Sequence, residues 1–253
     1  MSRIPAAPLI TSHRDAKGCA ECTLSPVCLP LAMPGQQIEA LDSLVQRSAP
    51  LQRGEHLYLA GDAFEAIYVV RSGALKVYTT DTNGEEQVTG FYLPGEILGL
   101  DGIMGNRHIN NATALETTAV CAIPFGGLEA LAATLPSLQH HFFQLMSREI
   151  QADQQLMLLL SKRSAEERIA SLMLSLSARH KRRRLSESCF RLPMSRQDIG
   201  NHLGLSVETV SRGLTRLQQL GILAVSGKEI TISDRPRLCA LAAGMADTAA
   251  HIG

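Results

Sequence analysis

The apolar positions of this chain change their period three times. Between residues 51 and 125 they come in short bursts, broken by glycines at 54, 61, 73, 84, 90, 95, 99, 102 and 105. Ile67-Tyr68-Val69-Val70 and Ala74-Leu75-Lys76-Val77-Tyr78 are β-rich, Ser72-Gly73 lies between them, and Asn83-Gly84 is a hairpin signal. Many short strands at such spacing predict a sandwich, roll or barrel. Residues 128–160 then lose their glycines and read as helical, with Met146, Ile150, Asp153, Met157 and Leu160 recurring at spacings of 4, 3, 4 and 3. That is the period of a coiled-coil seam. A helix packed on its own domain would show it too, but the seam continues after the roll should be complete, which favours a parallel dimer helix. Asp153 puts a carboxylate where an apolar residue would pack better, and is expected to weaken the dimer.

From residue 161 the pattern is helical again. Ser195 followed by Asp198 marks a helix start that runs to about Leu203. Gly204-Leu205-Ser206 predicts a tight turn, and Ser206 caps a second helix from Val207 to about Leu220. The pair is a helix-turn-helix. On its second helix Val210, Leu214 and Leu217 form an inward face, while Glu208, Ser211 and Arg212 share another near the N-terminus. Those side chains match base edges in a major groove: Arg bidentate to guanine, Ser as donor or acceptor, Glu accepting from an exocyclic amine. Charge alone would fit an ordinary exposed face; the turn and the caps favour DNA. Leu223-Ala224-Val225, Ser226-Gly227 and Glu229-Ile230-Thr231-Ile232 add a hairpin, which predicts a winged helix.

Charge sharpens the division. The chain has 253 residues, enough for two domains. Residues 1–160 hold 9 Lys and Arg against 16 Asp and Glu, a net of −7, whereas residues 161–253 hold 15 against 8, a net of +7. A basic C-terminal third, with the run Lys181-Arg182-Arg183-Arg184, suits a polyanion, because neutralised phosphates release counterions.

The N-terminal chemistry is different. Cys19-x2-Cys22-x5-Cys28 brings three thiols together by spacing alone and points to a metal centre. Met1 to Ile10 does not read as a secretory segment and no run reaches membrane-spanning length, so a soluble cytoplasmic protein with reduced thiols is expected. A zinc staple would more often use two close Cys pairs, and only one Cys-x2-Cys is present. A dithiol redox enzyme would want a βαβ context, which the five prolines of residues 1–35 do not offer. No G-x-S-x-G, P-loop, G-x-G-x-x-G or H-E-x-x-H occurs, so enzymatic readings find no support. Cys121, in Ala119-Val120-Cys121-Ala122-Ile123-Pro124, reads on the residues alone as a buried core position beside Ile123, and Cys189 and Cys239 as ordinary thiols.

A glycine-punctuated roll, a long helix and a C-terminal winged helix-turn-helix, in that order, resemble the cyclic-AMP-receptor-protein (CRP/FNR) superfamily of transcription regulators. The stretch Met194 to Arg212 is similar to that superfamily's recognition motif. Its cyclic-nucleotide binders carry Gly-Glu and later an Arg followed by Ser or Thr on the phosphate. Here Gly95-Glu96 is present, but His108-Ile109-Asn110-Asn111-Ala112-Thr113 offers no such Arg, so no cyclic nucleotide is expected. The three close cysteines and a distant one resemble instead the oxygen-sensing branch named for fumarate and nitrate reduction (FNR), with its anaerobic (ANR) relatives.

That resemblance implies a 4Fe-4S cluster on Cys19, Cys22, Cys28 and Cys121, converted by oxygen to a 2Fe-2S form and then lost. It implies a homodimer formed when the cluster is intact, binding double-stranded DNA at TTGAT-type inverted repeats through Glu208, Ser211 and Arg212. RNA polymerase is the implied partner and anaerobic metabolism the implied target, by activation or repression. The expected architecture is α+β. A cysteine-rich segment covers residues 1–30, a cyclic-nucleotide-binding-like β-roll (jelly-roll) 31–132, a dimerisation helix 133–160, a winged helix-turn-helix 161–236 and a C-terminal tail 237–253.

Overall fold

The computed structural model describes residues 18–33 and 35–244, which divide into one compact unit up to Met146 and another from Ser147. The first unit begins with two short 3-10 turns, Cys19–Glu21 and Leu29–Ala32, and helix α1 (Gly35–Leu44). Eight strands follow: β1 (Gln46–Arg47), β2 (His56–Tyr58), β3 (Ala66–Ser72), β4 (Leu75–Thr80), β5 (Glu86–Tyr92), β6 (Ile97–Leu98), β7 (Asn111–Ala114) and β8 (Ala119–Pro124). They form two antiparallel four-stranded sheets, β1-β8-β3-β6 and β2-β7-β4-β5. The strands and the Asn83-Gly84 turn expected from the sequence are present, the turn held by Asp81, whose Oδ1 accepts the amides of Asn83 and Glu85.

Strands β3 and β8 have a core on both faces, which is why their sequences are almost continuously apolar. Side chains alternate across a strand. Val70 and Val120 join Tyr58, Leu75, Val77 and Ala112 between the sheets. Ile67, Val69 and Ile123 point the other way, onto Leu29, Leu41, Leu128 and Leu138, with Cys28 and Cys121 packed against that second cluster. Cys121 thus faces the N-terminal segment because it lies one residue from Val120 and two from Ile123.

Residues 128–160, expected as one helical stretch, are two helices: α2 (Phe125–Thr134) and α3 (Pro136–Lys162). Pro136 has no amide hydrogen and excludes the preceding residue from helical geometry, and Leu135 sits at φ −127°, ψ 89°. The boundary between the two units falls within α3.

The second unit continues with α4 (Ala165–Arg182), β9 (Cys189–Arg191), α5 (Arg196–Leu203), α6 (Val207–Gln219), β10 (Leu223–Ser226), β11 (Glu229–Ile232) and α7 (Arg235–Ala242). Ile169, Met173 and Leu176 of α4 are buried, and α4 packs on both α6 and α7. The sheet order is β10-β11-β9, so the hairpin gains a third strand. The region expected as a tail from residue 237 carries most of α7. Its start is fixed by Asp234, whose Oδ1 accepts the amide of Arg237, with a proline in the first turn, and Leu238 is fully buried.

Candidate metal centre and nucleic-acid interface

Cys19, Cys22, Cys28 and Cys121 line one cavity in the first unit, walled by Leu24, Leu29, Leu41, Val45, Val69 and Ile123. The N-terminal segment is held there from several sides. The Cys19 amide donates to Oδ1 of Asp42 at 2.9 Å, and Arg47 donates to the same oxygen. Cys121 comes from the middle of β8, opposite Arg47 on β1 and Val69 on β3. All six cysteines are unpaired thiols, and Cys189 and Cys239 are exposed and belong to the second unit.

Apolar walls make three of these thiols reluctant to ionise. Burial pushes Cys19 up to about 12, the hydrogen-bonded Asp42 carboxylate adding to the effect and Arg47 opposing it. Burial likewise pushes Cys28 up to about 12. Cys121 is raised by burial against the pull of Arg47 and Arg71. Protonated thiols are poor nucleophiles, so these are not poised as redox catalysts. A soft cation entering the cavity would displace their protons.

Among the described residues, no three or more His, Cys, Asp or Glu side chains stand close enough together to hold a metal ion as they are. The four sulfurs ring a cavity instead of meeting at a point. One zinc would hold four sulfurs within about 4 Å of one another, whereas a four-iron cluster offers each thiolate its own iron. An all-cysteine donor set around an apolar cavity, with the buried Nε of Arg47 lacking any acceptor, fits such a cluster in chemistry.

Elsewhere in the same unit, the corner carrying Gly95-Glu96 is covered. Gly95 has φ +89°, and a Cβ built there would lie 2.6 Å from a methyl of Val27, so the cysteine segment packs onto it without room for a side chain. In the same unit, Oδ2 of Asp101 accepts the amides of Ile109 at 2.9 Å and Asn110 at 3.0 Å, and Oδ1 lies 3.1 Å from Nδ1 of buried His108. Burial raises the Asp101 carboxyl, but these hydrogen bonds outweigh it and hold the group below the usual carboxylate range.

The seam residues Met146, Ile150, Asp153, Met157 and Leu160 all lie on α3. Ile150 is 56% and Met157 70% exposed, an apolar load that a single chain leaves in water. Asp153 is exposed among them. Phe143, at 58% exposure, extends the stripe by three residues beyond the expected start at Met146.

At the end of α3, Arg168 donates to three carbonyls: Nε to Arg163 at 2.9 Å, Nη2 to Leu160 at 2.8 Å and Nη1 to Leu203 at 2.9 Å. One guanidinium therefore satisfies the open C-terminal carbonyls of α3 and α5 together.

The helix-turn-helix is built by capping. Ser195 and Asp198 form a capping box at α5, and Ser206 accepts the amide of Thr209 at α6. Gly204, with φ +62°, ends α5 in the left-handed conformation that the turn requires. Val210, Leu214 and Leu217 are buried, which turns Glu208, Ser211 and Arg212 outward around one shallow surface. The amide of Glu208, the Ser206 hydroxyl and Arg212 hold the Glu208 carboxyl below its usual range. The Ser211 hydroxyl meanwhile donates to the Val207 carbonyl at 2.9 Å.

The comparisons agree with this anatomy. Residues 167–241 match the Crp-like helix-turn-helix domain, and residues 49–134 the cyclic nucleotide-binding domain. The chain is 52% identical over 235 residues to the transcriptional activator protein Anr of Pseudomonas protegens, covering 93% of this chain and 96% of that protein. It is 44% identical over 242 residues to the fumarate and nitrate reduction regulatory protein of Vibrio cholerae, covering 96% and 97%. The structure of FixK2 from Bradyrhizobium japonicum superposes with a TM-score of 0.72 at 32% identity, over 78% of this chain and 96% of that one. No helix among the described residues is long and apolar enough to cross a membrane. The fold, the helix-turn-helix and these identities make this chain a member of the Anr and fumarate-and-nitrate-reduction (FNR) branch of the CRP/FNR family, DNA-binding transcription regulators and not enzymes.

Proposed function

We propose that this protein is a cytoplasmic anaerobic regulator that senses oxygen through a 4Fe-4S cluster held by Cys19, Cys22, Cys28 and Cys121. The observation that carries the reading is the shared cavity: three thiols from the N-terminal segment and one from β8 line it, and no acidic residue does. When bound, the cluster supplies an oxygen-labile tie between that segment and the roll. The chain's own residues do the rest. Asp42 fixes the Cys19 amide, and Val27 seals the Gly95 corner. Asp101 already occupies the amides of Ile109 and Asn110 with a carboxylate, which opposes a phosphate at that place and supports an input other than a cyclic nucleotide.

The output is a homodimer through the stripe Met146, Ile150, Asp153, Met157 and Leu160, with Asp153 keeping the cluster-free dimer marginal. A shift of a few kcal/mol is enough to turn such an equilibrium over. In the dimer Glu208, Ser211 and Arg212 read TTGAT-type inverted repeats, one half-site per protomer. RNA polymerase is the partner, and the position of the operator decides between activation and repression of genes of anaerobic metabolism.

The test is an absorption spectrum of protein purified without oxygen, with iron, sulfide and zinc assayed on the same sample before and after air. About four irons per chain and bleaching in air are expected. A colourless protein with about one zinc and no response to air overturns the sensing half.

A further inference from the structure

The guanidinium of Arg47 lines the cysteine cavity, which Arg71 also borders. β1 and β8 pair antiparallel with Arg47 opposite Cys121. Directly opposed residues in such a pair project to the same face, and both line the cavity. Nη2 of Arg47 lies 3.9 Å from Sγ of Cys19 and also donates to Asp42, the carboxylate that accepts the Cys19 amide. Asp42 therefore clamps one edge of the guanidinium to the start of the cysteine segment. Nε is buried and has no hydrogen-bond partner. A buried donor left unmatched is costly, so its retention calls for an acceptor beyond the protein's own groups.

Four ligand thiolates would bring four negative charges into a cavity whose only other charged lining residue is Arg71. Resting on the four-cysteine reading above, we propose that Arg47 is a positioning residue for that centre: clamped by Asp42, it donates hydrogen bonds and positive charge to the thiolates of Cys19 and Cys121. Hydrogen bonds to ligand sulfurs and local net charge are main determinants of a cluster's potential. A cation beside the sulfurs favours the more negative, reduced state. Removing it therefore lowers the reduction potential without removing a ligand.

The experiment is the midpoint potential of the full-length protein reconstituted without oxygen, titrated in the presence of redox mediators, with iron and sulfide assayed on every sample. Arg47→Gln is expected to take up as much iron as wild type and to show a lower potential. Arg47→Lys keeps the charge but loses the planar fork, and is expected to fall between the two. An Arg47→Gln potential equal to wild type overturns the proposal, and so does an equal drop in Arg47→Lys and Arg47→Gln, which would mark lost packing. If Arg47→Gln fails to fold, Arg47→Lys decides: a lowered potential supports the proposal and an unchanged one overturns it. A wild-type chain that takes up no iron overturns the four-cysteine reading and this inference with it. Iron uptake with unchanged potentials overturns this inference alone.

Discussion

The cysteine cavity and the helix-turn-helix are built in opposite ways. The helix-turn-helix is complete as it stands. Its caps are Ser195 and Ser206, its packing face is Val210, Leu214 and Leu217, and the face of Glu208, Ser211 and Arg212 projects into solvent with the Glu208 carboxyl held below its usual range. The cavity is the reverse: Cys19, Cys28 and Cys121 are pushed towards the protonated form, its arginine has an unmatched donor, and its four cysteines come from two distant parts of the chain. In the proposed reading, one site waits only for DNA, whereas the other changes state when it is filled. A regulator needs that asymmetry, since a sensor as finished as its reading head would have nothing to report.

The largest effect expected separates the two sites outright. Cys121→Ser should abolish iron retention while leaving the thermal melt of the second unit intact, whereas Cys189→Ser, at an exposed thiol, should retain full iron; metal analysis beside a melting curve checks both. Equal iron in the two variants would remove Cys121 from the site. Arg212→Ala makes the converse cut. Losing a bidentate base contact costs about 1–3 kcal/mol, so operator affinity should drop roughly tenfold or more, with iron content unchanged. Anisotropy on operator and scrambled duplexes reads this, and an equal loss on both would mean that Arg212 touches only phosphate.

Asp153→Ala addresses the link between the halves. Removing the carboxylate from the stripe should raise the dimer constant in air by roughly tenfold, about 1.4 kcal/mol. An unchanged monomer fraction in sedimentation would refute the seam. The smallest effect concerns the roll. Asp101 has a folded pKa below its unfolded value, so its hydrogen bonds stabilise the fold fully above about pH 4. That stability is lost as the pH falls towards the folded pKa. In Asp101→Asn the acid limb of a stability profile below pH 4 should flatten while the neutral plateau drops; parallel profiles would show that the carboxylate's charge is not what matters.

What the sequence disclosed follows from how local each signal is. The helix-turn-helix was legible because caps, turn and face all lie within Ser195 to Leu217. The triplet Cys19, Cys22 and Cys28 was legible as spacing. Cys121 was legible only through the family resemblance, because on its residues alone a cysteine in a strand buried on both faces looks like any core residue; the register of β8 against β1 and β3 is what turns it towards the N-terminal segment. Asp42 and Arg47 gave no signal, being ordinary residues at a helix end and a short strand whose roles arise from tertiary contact. The break before Pro136 and the helix after Asp234 were written in the sequence as a proline and a cap. The first was overridden by a strong heptad, the second by position near the end of the chain.

The coupling itself is tested most directly by operator binding measured on one anaerobic sample before and after air, with sedimentation run in parallel. The account requires a dimer with tight, sequence-specific binding before exposure, and monomer with only weak, salt-sensitive binding after the iron is lost. Unchanged affinity and unchanged mass after complete loss of iron would contradict it.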